Sequence, residues 1–213
     1  MDRKQHWEAI YSKKNPTEVS WYQAEPTLSL GLVNEAAGAG PASIIDVGGG
    51  ASTLVDRLVE RPSTEITVLD LSAAALRAAQ ARLGAKAARV RWIEADILNV
   101  EMPEAAYDVW HDRAVFHFLT DAADRRRYVE QVSRAVKVGG HVLVATFDAD
   151  GPQKCSGLEV ARYSPVELHA QFGNSFRLIR SVHEDHVTPI GTTQKFVYCL
   201  CVVERTAPAN QAA

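Results

Sequence analysis

The sequence is poor in cysteine, in basic charge and in long apolar runs, and each shortage excludes something. Three cysteines, Cys155, Cys199 and Cys201, occur in 213 residues, and no two are spaced C-x-x-C. A zinc knuckle or a thioredoxin-type redox site needs that spacing. An odd count in a chain of this size also speaks against a disulfide framework, so reduced thiols and a cytoplasmic location are expected. Lys and Arg number 23 against 26 Asp and Glu, a net charge of -3. A protein that grips nucleic acid through its phosphates needs a basic face, so no nucleic-acid partner is expected. No apolar run approaches the roughly 20 residues of a membrane span. The opening Met1-Asp2-Arg3-Lys4-Gln5-His6-Trp7 is too polar for a secretory signal.

What remains is the composition of a soluble globular protein, 46% hydrophobic and 23% charged. The length suits a single domain with a sizeable core, here expected over residues 1–206. Gly38-Ala39-Gly40-Pro41 marks the joint between a helical segment, 1–40, and a core, 41–206. The small, polar residues 207–213 are expected to fray.

From residue 43 onward strand and helix signals alternate. Short apolar runs at 43–47, 66–69, 90–94, 107–111 and 141–147 read as strands. Between them lie helical patterns at 52–60, from the Ser72 cap to Gly84, and at 121–137. Continuous apolar strands alternating with helices predict a mostly parallel sheet covered on both faces, in the order of a helical segment, five strand–helix units and then a hairpin. Ser164-Pro165 opens another helix. Two longer runs, 176–187 and 195–204, flank Pro189-Ile190-Gly191 and read as an antiparallel hairpin closing one edge.

The chemistry concentrates where strands end. Asp46-Val47-Gly48-Gly49-Gly50-Ala51-Ser52-Thr53 lies at a strand-to-helix turn, where glycines let backbone N–H groups approach a ligand. Asp70 ends the next strand, about 20 residues on, where a Rossmann fold holds ribose hydroxyls. A dinucleotide is disfavoured: Thr53 stands at the third glycine of G-x-G-x-x-G, and the Asp46 carboxylate would repel a pyrophosphate. A ligand with an ammonium and a sulfonium would be attracted.

With these residues the chain resembles the class I, seven-stranded Rossmann-like methyltransferases that use S-adenosylmethionine. The likeness rests on Ile45-Asp46-Val47-Gly48-Gly49-Gly50, Leu69-Asp70-Leu71-Ser72, Glu94-Ala95-Asp96-Ile97, Tyr107 to Asp112 and Lys137-Val138-Gly139-Gly140-His141, in that order. It implies an α/β, doubly wound sheet with helices on both faces. It also implies S-adenosyl-L-methionine as cofactor, with Asp46, Gly48, Gly49 and Gly50 beside its methionine part. Asp70 would hold the ribose, Asp96 would accept from the adenine amino group and Ile97 would supply a backbone N–H and apolar cover, with Leu71 also at the cofactor. Gly49 departs from the cysteine or serine of many relatives.

The acceptor side is expected after the fourth strand, at His111-Asp112-Arg113-Ala114-Val115-Phe116-His117-Phe118. His111 and Arg113 are the candidates for catalysis, His111 also for cofactor contact, and His117 is a weaker base; Arg113 could hold an acidic acceptor or simply pair with Asp112. Trp21 and Tyr22 precede the first strand and are expected as a lid over the cofactor; Trp7 and Tyr11, at helical spacing, are expected to anchor a surface helix. Cys199 and Cys201 share a strand face and read as core; a metalloid site with Cys155 is the less favoured reading. No metal is expected. A small-molecule acceptor comes first and a protein lysine second, because some lysine methyltransferases of this fold carry Asp-Lys-Gly-Thr where Asp112-Arg113-Ala114-Val115 stands. A cofactor-binding protein without turnover is the non-catalytic alternative.

Overall fold

A computed structural model describes residues 3–204, so the expected tail at 207–213 lies outside the described residues. Seven strands form one sheet. They are β1 (Ala42–Val47), β2 (Thr64–Asp70), β3 (Val90–Glu94), β4 (Tyr107–Arg113), β5 (Val136–Phe147), β6 (Phe176–Val187) and β7 (Thr193–Val203). Their spatial order is 3-2-1-4-5-7-6, with β7 antiparallel to both neighbours and the others parallel.

Side-chain alternation divides the core. Ile44, Val109 and Leu143 point to one face, where α2 (Thr27–Ala37), α3 (Leu54–Leu58) and α4 (Ala73–Leu83) cover them. Ile45, Trp110, Val142 and Val144 point to the other, under α5 (Ala122–Ala135) and α6 (Pro165–Phe172). Strands buried on both faces need apolar residues at most positions, which is why they read as short apolar runs, with Asp46, Asp70, His111 and Asp112 as the exceptions near their carboxyl ends. The helices start at polar caps. Ser72 accepts from the Ala75 N–H, Asp121 from Ala123 and Asp124, and Ser164 forms a capping box with Glu167.

Two sequence expectations change. The helix read to residue 137 stops at Ala135, because Val136 already pairs with Tyr107 as the start of β5. No helix follows β3; a turn at 96–100 replaces it, held to α5 by Gln131, whose amide donates to the Val100 carbonyl at 2.6 Å. The order reverses between β1 and β4, which opens a crevice at the carboxyl ends of the strands. Over that crevice lie α1 (Arg3–Lys13) and the segment 20–23.

Candidate functional site

Two adjoining cavities occupy the crevice and share Tyr11, Trp21, Gly48 and Arg113. The first is lined by Asp70, Leu71, Asp96 and Ile97 together with Trp7, Phe118 and Cys155. The second lies over Asp46, Gly48 and Gly49, beneath Tyr22.

The glycine turn makes the floor. Gly48 has φ +69, and its N–H donates to the Leu69 carbonyl at 2.7 Å, tying the end of β1 to β2. A Cβ on Gly49 would overlap the Asp46 carboxylate, one on Gly50 the Asp70 carboxylate, and one on Gly48 the Val115 side chain. Glycine therefore lets two acidic side chains and the backbone crowd around one space.

Those carboxylates are poised differently. Asp46 is buried, and its Oδ1 lies 2.7 Å from His111 Nδ1. Its Oδ2 is buried with no hydrogen-bond partner among the described residues. A buried unpaired carboxylate oxygen is costly, and a ligand ammonium would satisfy it. Asp70 accepts from the Ser72 N–H at 2.8 Å, and burial, with Asp46 nearby, pushes its carboxyl up to about 7. Asp96 accepts from the Leu98 N–H at 3.0 Å and the Asn99 amide at 3.1 Å, which fixes the turn beneath Ile97.

His111 and Arg113 both come to the crevice, each already bonded. A carboxylate can only accept, so His111 Nδ1 carries a proton toward Asp46. In the neutral ring Nε2 then accepts from the Ser29 hydroxyl, 3.0 Å away on α2. Arg113 donates through Nε to the Tyr198 hydroxyl at 2.8 Å, through one terminal nitrogen to the Trp21 carbonyl at 3.2 Å, and through the other to Glu184 at 3.3 Å. Its guanidinium lies 4.1 Å above the Phe196 ring. Next in the chain, Ala114 takes φ +75, a costly conformation for a residue with a Cβ, at the point where β4 turns into the cavity wall.

Other candidates serve the frame. Asp112 accepts from the Val115 and Phe116 N–H groups and from the Tyr128 hydroxyl, so it shapes the turn after β4. His117 is fully buried, and burial holds it down at about 3, so it stays neutral; its Nδ1 accepts from the Phe147 N–H. The cysteines do not converge. Cys199 and Cys201 pack on the α5–α6 face and Cys155 on the opposite one, where it also lines the first cavity.

The roof is aromatic. Trp21 donates its indole N–H to the Tyr11 hydroxyl at 3.1 Å and meets Trp7 edge-on, and Trp7 meets Phe118. Trp7 thus lines the cavity itself, beyond the surface anchoring expected of it. Segment 20–23 is strapped down. His186 donates to the Ser20 carbonyl, Arg113 to that of Trp21 and the Thr53 hydroxyl to that of Gln23, while the Gln23 amide donates to Glu184. Sequence reasoning missed Glu184, Tyr198, Ser29 and Glu8. The one available signal was His183-Glu184-Asp185-His186, a charged run inside a strand, with Glu184 paired opposite the buried Phe196.

Residues 44–140 match the model of a methyltransferase domain family. An uncharacterized methyltransferase of Mycobacterium tuberculosis is 34% identical over 108 residues, 51% of this chain and 52% of the relative. The chain thus spans about half the length of the curated relatives it matches. An N-methyltransferase from Bradyrhizobium japonicum, solved with S-adenosylhomocysteine, superposes with a TM-score of 0.73 at 15% identity, covering 95% of this chain and 98% of that one. A Burkholderia thailandensis 1,6-didemethyltoxoflavin N1-methyltransferase, solved with its substrate and S-adenosylhomocysteine, gives 0.67 at 15% identity, over 95% and 84%. At such identities the superpositions establish the fold.

Proposed function

We propose that this chain, a member of the class I S-adenosylmethionine-dependent methyltransferase family, moves a methyl group by in-line displacement to a small-molecule nucleophile. The observation that carries the reading is the pair of buried carboxylates around a turn with no room for side chains, one of them with an unpartnered oxygen. Asp46 Oδ2 would take the donor's ammonium, Asp70 its ribose hydroxyls, and Asp96 with Ile97 its adenine. Gly48, Gly49 and Gly50 would give its methionine part close backbone contact.

The bound donor supplies a methyl already activated by a positive sulfonium. The protein's contribution is then alignment and exclusion of water. Trp7, Tyr11 and Trp21 close the cavity, and Tyr22 covers the second chamber. Arg113 acts by holding the Trp21 carbonyl, and His111 by orienting Asp46 against Ser29. Neither serves as a proton acceptor: a guanidinium has no lone pair to offer, and both nitrogens of His111 are engaged. Burial pushes the Cys155 thiol up to about 11, so it is no base at neutral pH. The acceptor therefore brings its own lone pair.

The roof favours a small acceptor over a protein lysine, because a side chain on a protein surface would have to displace α1. Asp112, the residue matched to the lysine-methyltransferase pattern, is bonded into its own turn. Calorimetric titration with S-adenosylhomocysteine and, separately, with NAD tests the cofactor; tight binding of NAD alone would reject the reading. Labelled donor offered with a metabolite extract and with a denatured proteome tests the acceptor. Label in protein alone would reject the small-molecule assignment, and label in neither would make the chain a binding protein.

A further inference from the structure

Besides the residues proposed for ribose and adenine, the first cavity is walled by Trp7, Trp21, Val115, Phe118, Leu119 and Cys155. Among the described residues its lining holds two cations, Arg3 and Arg113. Arg3 is paired at 2.7 Å with Asp124. Arg113 faces both cavities, yet its charge is answered from behind by Glu184, at the far edge of the sheet. The two side chains are 9% and 15% exposed. The Glu184 carboxylate also accepts from the Tyr198 hydroxyl at 2.8 Å and from the Gln23 amide at 2.9 Å. It is fully bonded and has no reason to release the guanidinium. An anionic acceptor would have to draw Arg113 away and strand a buried carboxylate. Asp70 and Asp96, on the same cavity wall, would add repulsion.

We infer that the acceptor is an uncharged small molecule with a planar, apolar body, and that Glu184 sets this preference by neutralising Arg113. The inference rests on the donor site proposed above. A planar body gains from the edges and faces of Trp7, Trp21 and Phe118, Trp7 standing at 85° to Trp21 and 73° to Phe118. Glu184 touches neither donor nor acceptor; it is a positioning residue acting through Arg113.

The test uses the full chain saturated with S-adenosylhomocysteine and two probes of nearly equal shape, benzamide and benzoate. Calorimetry reads affinity, and the indole N–H resonances of Trp7 and Trp21 report the place of binding. Benzamide should bind and move both resonances, and benzoate should bind about tenfold or more weakly, the effect of one unfavourable charge. Glu184→Gln removes the charge and keeps one oxygen to accept from Arg113 and Tyr198, while its amide N–H can donate to Gln23 once that amide turns its own oxygen inward. It should raise benzoate affinity about tenfold while leaving benzamide within about twofold. Arg113→Gln removes the opposite charge and should leave benzoate no tighter than in the parent chain, which keeps the test standing if Glu184→Gln does not fold. Benzoate equal to benzamide in the parent chain, an unchanged ranking in Glu184→Gln, or no response of either tryptophan to benzamide would overturn the inference. Failure to bind S-adenosylhomocysteine at all would instead defeat the donor reading.

Discussion

Asp70 sits at the end of β2 with its carboxyl raised to about 7, chiefly because burial penalises the charge. Ribose hydroxyls donate, so they favour the ionised form. S-adenosylhomocysteine should bind more weakly as pH falls below about 7 and should release a proton on binding near that pH. Asp70→Asn should weaken binding roughly tenfold and flatten the pH profile. Titrations in buffers of different ionisation enthalpy check both, and a parent chain with pH-independent affinity would defeat the assignment. Gly48 offers a steric test, since its φ is +69 and a Cβ would strike Val115. Gly48→Ala should cost about 1–3 kcal/mol. Adding Val115→Ala should recover the clash but not the strain of a positive φ, measurable as an intermediate urea midpoint. Recovery to the parent value would show that the strain is negligible. At this scale the sequence was readable where chemistry is local. Asp46, Gly48, Gly49, Gly50 and Asp70 lie in short motifs at strand ends. Arg113 could be singled out by its place after β4, but not its bonds, because Tyr198 and Glu184 arrive from 85 and 71 residues away.

The central strands β1, β2, β4 and β5 were legible because burial on both faces leaves mostly apolar residues, whereas the edge strand β6, exposed and charged, was legible from its length and from the turn residues after it. The turn after β3 was not, since one polar contact from Gln131 to Val100 replaces a crossover helix and leaves no periodicity to read. Nor was the docking of α1, a helix with no buried residue. It is held by ion pairs of Arg3 with Asp124, Lys4 with Glu94 and Glu8 with Arg77, and by Glu8 accepting from the Ser72 hydroxyl and the Ala74 N–H at the start of α4. Exposed pairs of this kind contribute about 0–1 kcal/mol each and are screened by salt. Removing residues 1–14 should therefore lower the thermal midpoint by only a few degrees, on the order expected for about 1 kcal/mol, while S-adenosylhomocysteine dissociates faster. In the full chain, dissociation followed by stopped-flow tryptophan fluorescence should quicken between low and high salt. A salt-independent rate would mean that the aromatic contacts of Trp7 alone hold the lid.

Across the whole molecule, buried titratable groups oppose one another. Asp70 and Asp112 are raised to about 7 and about 6, mainly by burial. A raised carboxyl favours folding at low pH, and that contribution is lost as pH climbs through the folded value. His117 is lowered to about 3 by burial, so its contribution is full above about 6.5 and is lost as pH falls. Asp70→Asn removes one falling term, so between about pH 5 and 7 the ligand-free variant should lose less stability with rising pH than the parent, by urea unfolding. Parallel curves would place the Asp70 carboxyl near its ordinary value. The fastening of segment 20–23 has a consequence in time. Its clasps are Thr53, Arg113, Glu184 and His186, and Arg113 is itself steadied by Tyr198. During synthesis the glycine turn leaves the ribosome well before β6 and β7. A nascent chain arrested with that hairpin still in the exit tunnel should hold a formed β1–β2 turn and an N-terminal segment that lacks the Glu184 and His186 clasps, with Arg113 unsteadied. Protease should cut near Trp21 in the arrested chain and spare it after release.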